Sequence, residues 1–209
     1  MSQGKQTLLR LCCILCVYIC FVSGSFYSIY NDTNAQNKKA SLERIISNEN
    51  RIVNYLRVIH DAQNRYHAVD WDEDGVKTYA QFIVHLWQTV DKQAFPIKNR
   101  FIPKKVAFAM GKSRAMNGYY FLDIRLKESG NMHQSPQSRA LDLKHEWAIT
   151  AAPADYGHTG MLTFIVSNSG KIYAQDIKNR TVQSLPEQLI RAEGWKEIKN
   201  KNDIILLHP

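Results

Sequence analysis

The chain has 209 residues and a formal net charge of +8, enough for one ordinary domain plus a targeting segment. Hydrophobic residues make up 44% and charged residues 22%, which excludes wholesale disorder, and the lack of any internal repeat excludes solenoids and propellers. All four cysteines, Cys12, Cys13, Cys16 and Cys20, fall before residue 21, so the rest of the chain has no disulfide framework, thiolate metal site or cysteine nucleophile.

Lys5 and Arg10 precede an uninterrupted apolar run over residues 11–22, and Val22-Ser23-Gly24 places small residues before Ser25. A positive head, an apolar run and a small-residue exit describe a signal peptide. Left uncleaved, the same segment would be a membrane anchor. Residues 1–24 are therefore expected to be a signal peptide or anchor, and either reading exports the remainder. Residues 25–40 are expected to be a polar linker, rich in Asn, Gln and Lys.

From Ser41 the period becomes helical. Leu42, Ile45, Ile46, Ile52, Val53, Leu56, Ile59, Ala62 and Tyr66 recur at three- and four-residue steps, while Arg51, Arg57 and Arg65 fall off the stripe. This spacing predicts a long amphipathic helix to about His67, with an apolar face in need of a partner. Asp70-Trp71-Asp72-Glu73-Asp74-Gly75 follows as an acidic loop. Residues 76–90 again fit a helical period, through Val76, Tyr79, Ala80, Ile83, Val84 and Trp87. Residues 92–114 hold Lys and Arg with no acidic residue, and Pro96 and Pro103 break them, so a long basic connection is expected.

The second half reads as strands over residues 119–126, 145–152, 161–166 and 171–176. Asn117-Gly118 is a turn before the first, and Ser167-Asn168-Ser169-Gly170 is a hairpin signal between the last two. Residues 128–142 are polar and read as a loop, and residues 185–194 as a short helix. A long helix followed by consecutive antiparallel strands makes the fold α+β, with residues 41–209 as one domain and the helix packed on one face of a β-meander.

Three groups of residues invite a chemical reading. Asp70-x-Asp72-x-Asp74-Gly75 spaces three carboxylates as a hard cation such as Ca²⁺ requires, the glycine allowing the sharp turn. Gln81 stands where a closing bidentate Glu would be, so any affinity is expected to be weak. Asp155, Tyr156 and His158 lie close together near Gly157 and Gly160, yet the chain has no Gly-x-Ser-x-Gly elbow and no HExxH. The glycines suit a tight turn between strands, and no catalysis is expected. The basic stretch, with Lys98, Arg100, Lys104 and Lys105 among Phe95, Phe101 and Phe108, suits anionic envelope polymers or envelope proteins. Nucleic acid is not an expected partner of an exported chain.

The run Pro153-Ala154-Asp155-Tyr156-Gly157-His158-Thr159-Gly160-Met161-Leu162-Thr163-Phe164, with Gly170-Lys171-Ile172-Tyr173, Asp176, Asn117-Gly118-Tyr119-Tyr120-Phe121, Asp72-Glu73-Asp74-Gly75 and Trp195, resembles an exported bacterial family of unknown function. The head of that family in turn resembles the pseudopilins of type II secretion and the type IV pilins, a long N-terminal helix against an antiparallel sheet. The resemblance implies a periplasmic or otherwise extracytoplasmic protein, held at the inner membrane if its N-terminal segment is retained, with a structural or interaction role. One departure is plain: Gly4 is followed by Lys5-Gln6-Thr7-Leu8-Leu9, without the Glu that prepilin processing requires. The alternatives are an enzyme acting on an envelope polymer, with its site in the loop from Asp155 to Gly160, and a weak calcium-dependent binding module.

Overall fold

The computed structural model describes residues 3–129, 137–178, 180, 182, 184, 185 and 194–208. Helix α1 (Gln3–His67) comes first. The chain divides into two units, Met1–Glu43 and Arg44–Pro209. In the first unit the backbone is helical from Gln3 and continues through residues 31–39, where the polar composition suggests a linker. The apolar run of residues 11–22 has its side chains outside the described residues, and so does the expected signal or anchor. Among the described residues no helix is long and apolar enough to cross a membrane.

The second unit carries the core. After α1 come strands β1 (Thr89–Val90) and β2 (Pro96–Ile97), helix α2 (Lys104–Ala107), and strands β3 (Tyr119–Ile124), β4 (Leu126–Ser129) and β5 (Gln137–Ala140). Then follow β6 (Ala148–Pro153), β7 (Thr163–Ser167), β8 (Ile172–Gln175), β9 (Ser184–Leu185), β10 (Lys196–Glu197) and helix α3 (Lys201–Ile205). The main sheet has the order β10-β8-β7-β6-β3, antiparallel throughout. Its longest ladder runs from Tyr119 opposite Pro153 to Ile124 opposite Ala148. The meander expected from the sequence is therefore present, and the Asn117-Gly118 turn sits where expected, both residues at positive φ.

Both faces of this sheet are buried, because side chains alternate along each strand. Tyr119, Phe121, Ile149, Ala151, Phe164, Val166, Ile172 and Ala174 point to the face that meets Ile52, Val53, Leu56, Ile59 and Ala62 of α1. Ile124, Ala148, Ile165 and Tyr173 form a second cluster with Leu141 and Leu185. The apolar stripe of α1 thus finds its partner in the sheet, and the strands read as continuous apolar runs because neither face meets water.

Three expectations are corrected. Residues 76–90 are not a helix: only a 3₁₀ turn, Ile83–Leu86, and β1 lie there. Their backbone groups are taken by distant partners. Gln63, 1% exposed, pairs with both polar groups of Ala80 (Nε2 to O 3.1 Å, N to Oε1 2.9 Å). Tyr79 N donates to Leu143 O at 2.8 Å, and Ile83 N to Asp123 Oδ1 at 2.9 Å. β-Branched and aromatic residues hold a helix too weakly to resist these bonds. The basic connection is also folded: β1 pairs with β2, and Ile102, Val106, Ala107 and Ala109 of the α2 region are buried. Residues 128, 129 and 137–140, expected as loop, lie in the paired strands β4 and β5, and β9 joins β4 in parallel. The helix expected over residues 185–194 lies mostly outside the described residues, and Leu185 itself is in β9.

Asp123 has a measurable consequence. Burial pushes its carboxyl up from 3.8 to about 6, against the opposing pull of the Ile83 N–H and Arg125. A raised folded-state value means that this stabilising contribution is fully present below pH 3.8 and is lost as pH rises through about 6. Asp123→Asn keeps the acceptor for Ile83 without the buried charge. It is expected to gain ~1–2 kcal/mol over wild type at pH 8, a gain that disappears by pH 4. Denaturant melts at the two pH values measure it.

Candidate functional site

A buried polar node centres on Glu49, a carboxylate on the apolar stripe between Ile45 and Ile52 and fully buried at 0% exposure. Its Oε1 accepts from Met161 N (2.8 Å) and Leu162 N (3.0 Å) and lies 3.1 Å from the Tyr119 hydroxyl. Its Oε2 lies 2.6 Å from His208 Nε2, whose side chain is 2% exposed. The Tyr119 hydroxyl also reaches Leu162 O at 2.9 Å. Burial first, then the Glu49 charge, raises the Tyr119 phenol well above its ordinary value, so it stays a donor. Paired and multiply hydrogen-bonded, a buried carboxylate is tolerated; alone it would not be.

Residues 153–160 fold against this node. Thr159 Oγ1 accepts from Asp155 N (3.0 Å) and lies within reach of Asp155 O (3.0 Å) and Gly118 O (2.9 Å). From α1, Asn48 Nδ2 donates to Thr159 O at 3.0 Å and Arg44 to His158 O at 3.3 Å. Gly160 packs so tightly on the Tyr119 ring that a Cβ there would overlap it, and a Cβ at Gly118 would meet Thr159 at 2.5 Å. Gly118 and Gly160 are thus required by the close approach of β3, its preceding turn and the loop.

The Asp155 and His158 side chains point outward, 66% and 73% exposed, with Oδ1 and Nδ1 3.5 Å apart. Tyr156 donates to Asp176 at 2.9 Å rather than to either. The structure therefore does not bring Asp155, Tyr156 and His158 into one enclosed cluster. His60 and His67 are both on α1: His60 faces the Trp147 ring at 6.0 Å, and His67 stacks on Tyr79 at 4.2 Å and reaches Lys144 O at 3.1 Å.

The acidic loop does converge. One carboxylate oxygen each of Asp70, Asp72 and Asp74 lies within 4.8 Å of the others. Asp70 Oδ2 accepts from Gly75 N (2.9 Å) and Asp74 Oδ1 from Val76 N (2.7 Å). Two of the three carboxylates therefore brace the turn, and Gly75 takes the positive φ of 86° that the turn needs. Ca²⁺ takes six to eight oxygens, so three aspartates fit part of such a shell.

In the basic stretch Lys98, Arg100, Lys104 and Lys105 are all exposed. Two of these cations rest on rings: Arg100 lies over Trp87 at 5.6 Å and Lys104 over Phe108 at 6.0 Å, while Arg65 of α1 lies over Phe101 at 4.3 Å. The interleaved aromatics support the protein's own cations.

Sequence reasoning missed Glu49, Gln63 and His208. A signal existed for the first two: each is a polar residue at a stripe position of an apolar helix face. Nothing local marks His208.

The chain matches the family described as Protein of unknown function (DUF2950) over residues 26–197. No curated protein and no solved structure matches it.

Proposed function

Starting from the fact that the chain belongs to the family described as Protein of unknown function (DUF2950), we propose that it is an exported envelope protein with a structural or interaction role. In this reading residues 1–24 are a signal peptide or an inner-membrane anchor. The remainder is an extracytoplasmic head with a pilin-like arrangement of long helix on antiparallel sheet. The observation that carries the reading is how the residues at 153–160 are used. The Thr159 hydroxyl ties the loop to the Gly118 turn, Gly160 admits the Tyr119 ring, and the His158 and Thr159 carbonyls accept from Arg44 and Asn48 of α1. The segment that most invites a catalytic reading is therefore a joint. Exposed Lys98, Arg100, Lys104 and Lys105 supply a surface for anionic envelope polymers or acidic partner proteins.

Cell fractionation with N-terminal sequencing tests the reading. The expected result is protein in the envelope or periplasmic fraction, beginning near Ser25 if cleaved or retained in the membrane if not. Soluble cytoplasmic protein starting at the initiator methionine would overturn it.

A further inference from the structure

A cleft of about 420 Å³ lies between the acidic loop, the C-terminal end of α1 and the β1–β2 hairpin. That volume accommodates a small organic group. Its charge runs against that of the whole molecule. The chain is +8, yet the lining holds two carboxylates, Asp72 and Asp91, and no Lys or Arg. His85 also lines it, and burial lowers its value, so the imidazole adds no positive charge at neutral pH. The Asp72 charge is felt across the cleft mouth, where it contributes to the raised value of the Tyr66 phenol behind burial.

The apolar part of the lining is three aromatic rings, Tyr66, Trp71 and Phe108, with Val84 and Val90 beside them. Trp71 Nε1 is spent on Tyr66 O at 2.9 Å, so the indole offers its ring and not its N–H. Phe108, 37% exposed, already has the Lys104 ammonium 6.0 Å from its centroid, so an ammonium is compatible with this ring. The polar lining is largely unspent. Among the described residues the side chains of Asp72, Thr78, His85 and Gln88 have no hydrogen-bond partner in the protein. Asp91 is partly engaged, its Oδ1 accepting from Gln93 N (3.0 Å) and Phe95 N (2.8 Å), and the Tyr66 and Thr89 hydroxyls bond to each other at 2.9 Å.

From this arrangement we infer that the cleft is a binding site for a small organic cation, an ammonium group carried on short alkyl arms. Carboxylates supply the opposite charge, aromatic faces attract the cation and cover its methyl or methylene groups, and the free hydroxyl and amide receive a polar substituent. An anionic ligand would meet two like charges and is excluded on that ground. A neutral polyol would use the hydrogen-bonding groups but would be indifferent to the charge of Asp72, and this difference decides the test.

Choline and glucose are titrated separately into the full-length protein in mild detergent, with EDTA present throughout, and followed by calorimetry. The expected result is saturable choline binding at one site, weakened by added salt, with no saturable glucose binding. Asp72 is exposed, so Asp72→Asn should leave the melting temperature unchanged while weakening choline about three- to tenfold. Phe108→Ala, at a second exposed position, should weaken it by a similar factor. No saturable choline binding, or choline binding that neither variant alters, would overturn the inference. Glucose binding that survives Asp72→Asn would assign the cleft to a neutral polyol instead.

Discussion

Glu49→Ala is expected to destabilise the head by ~3–5 kcal/mol, because it strips the shared acceptor from several buried hydrogen-bond donors at once. Removal leaves the Met161 and Leu162 amides and the His208 ring without their acceptor, in a region where the lost carboxylate was 0% exposed. Each orphaned buried donor carries its own desolvation cost, which is why the loss exceeds that of an ordinary surface ion pair. Glu49→Gln separates charge from hydrogen bonding. It keeps an acceptor for the two amides and is expected to lose less than the alanine variant. For a unit of this size the alanine variant should melt roughly 10 °C below wild type. Scanning calorimetry of the three proteins measures both effects, and equal midpoints would mean that the node adds nothing to stability.

Leu56→Ala is the second large effect. Leu56 is fully buried between α1 and the sheet, in the cluster with Phe121, Ile149 and Phe164. Truncation loses transfer energy and leaves a cavity, together ~2–5 kcal/mol. The neighbouring Arg57 is exposed, with only long contacts to Asn54 (3.2 Å) and Lys199 O (3.4 Å). Arg57→Ala should therefore cost under ~0.5 kcal/mol. Denaturant melts of both variants compare the two. If the helix served as a free stalk for joining other subunits, Leu56→Ala would leave the midpoint where wild type has it.

The stripe that makes Leu56 buried is legible in the sequence because its period is local: three and four residues separate each member from the next. The meander is legible for a similar reason, since each strand is bounded by turn residues such as Asn117-Gly118 and Ser167 to Gly170. Strand starts are less so. His145 is apolar enough to be read into β6, but the turn at residues 142–146 takes it, with His145 N donating to Asp142 O at 2.8 Å. Residues 76–90 are the clearest failure. Their period fits a helix, while the bonds that prevent one come from Gln63, Leu143 and Asp123, none of them a near neighbour. The same divide runs through the candidate sites. Asp70, Asp72 and Asp74 are found together because alternate residues of a tight turn stay close. Glu49 and His208 are 159 positions apart, and no spacing rule joins them. The cleft draws on α1, the acidic loop, β1 and the segment after α2, so its acidic character appears only once the chain is folded.

The separation of Glu49 from His208 also bears on the order in which the head can be completed. Closing a loop of that length costs roughly 4–5 kcal/mol of chain entropy beyond the constant term, by the logarithmic law for flexible chains. Contacts within the meander form over far shorter loops and repay their closure sooner. The Glu49–His208 contact is therefore a late step, and it cannot form while residue 208 is still held back. The contact between the two ends of the chain is the last to close.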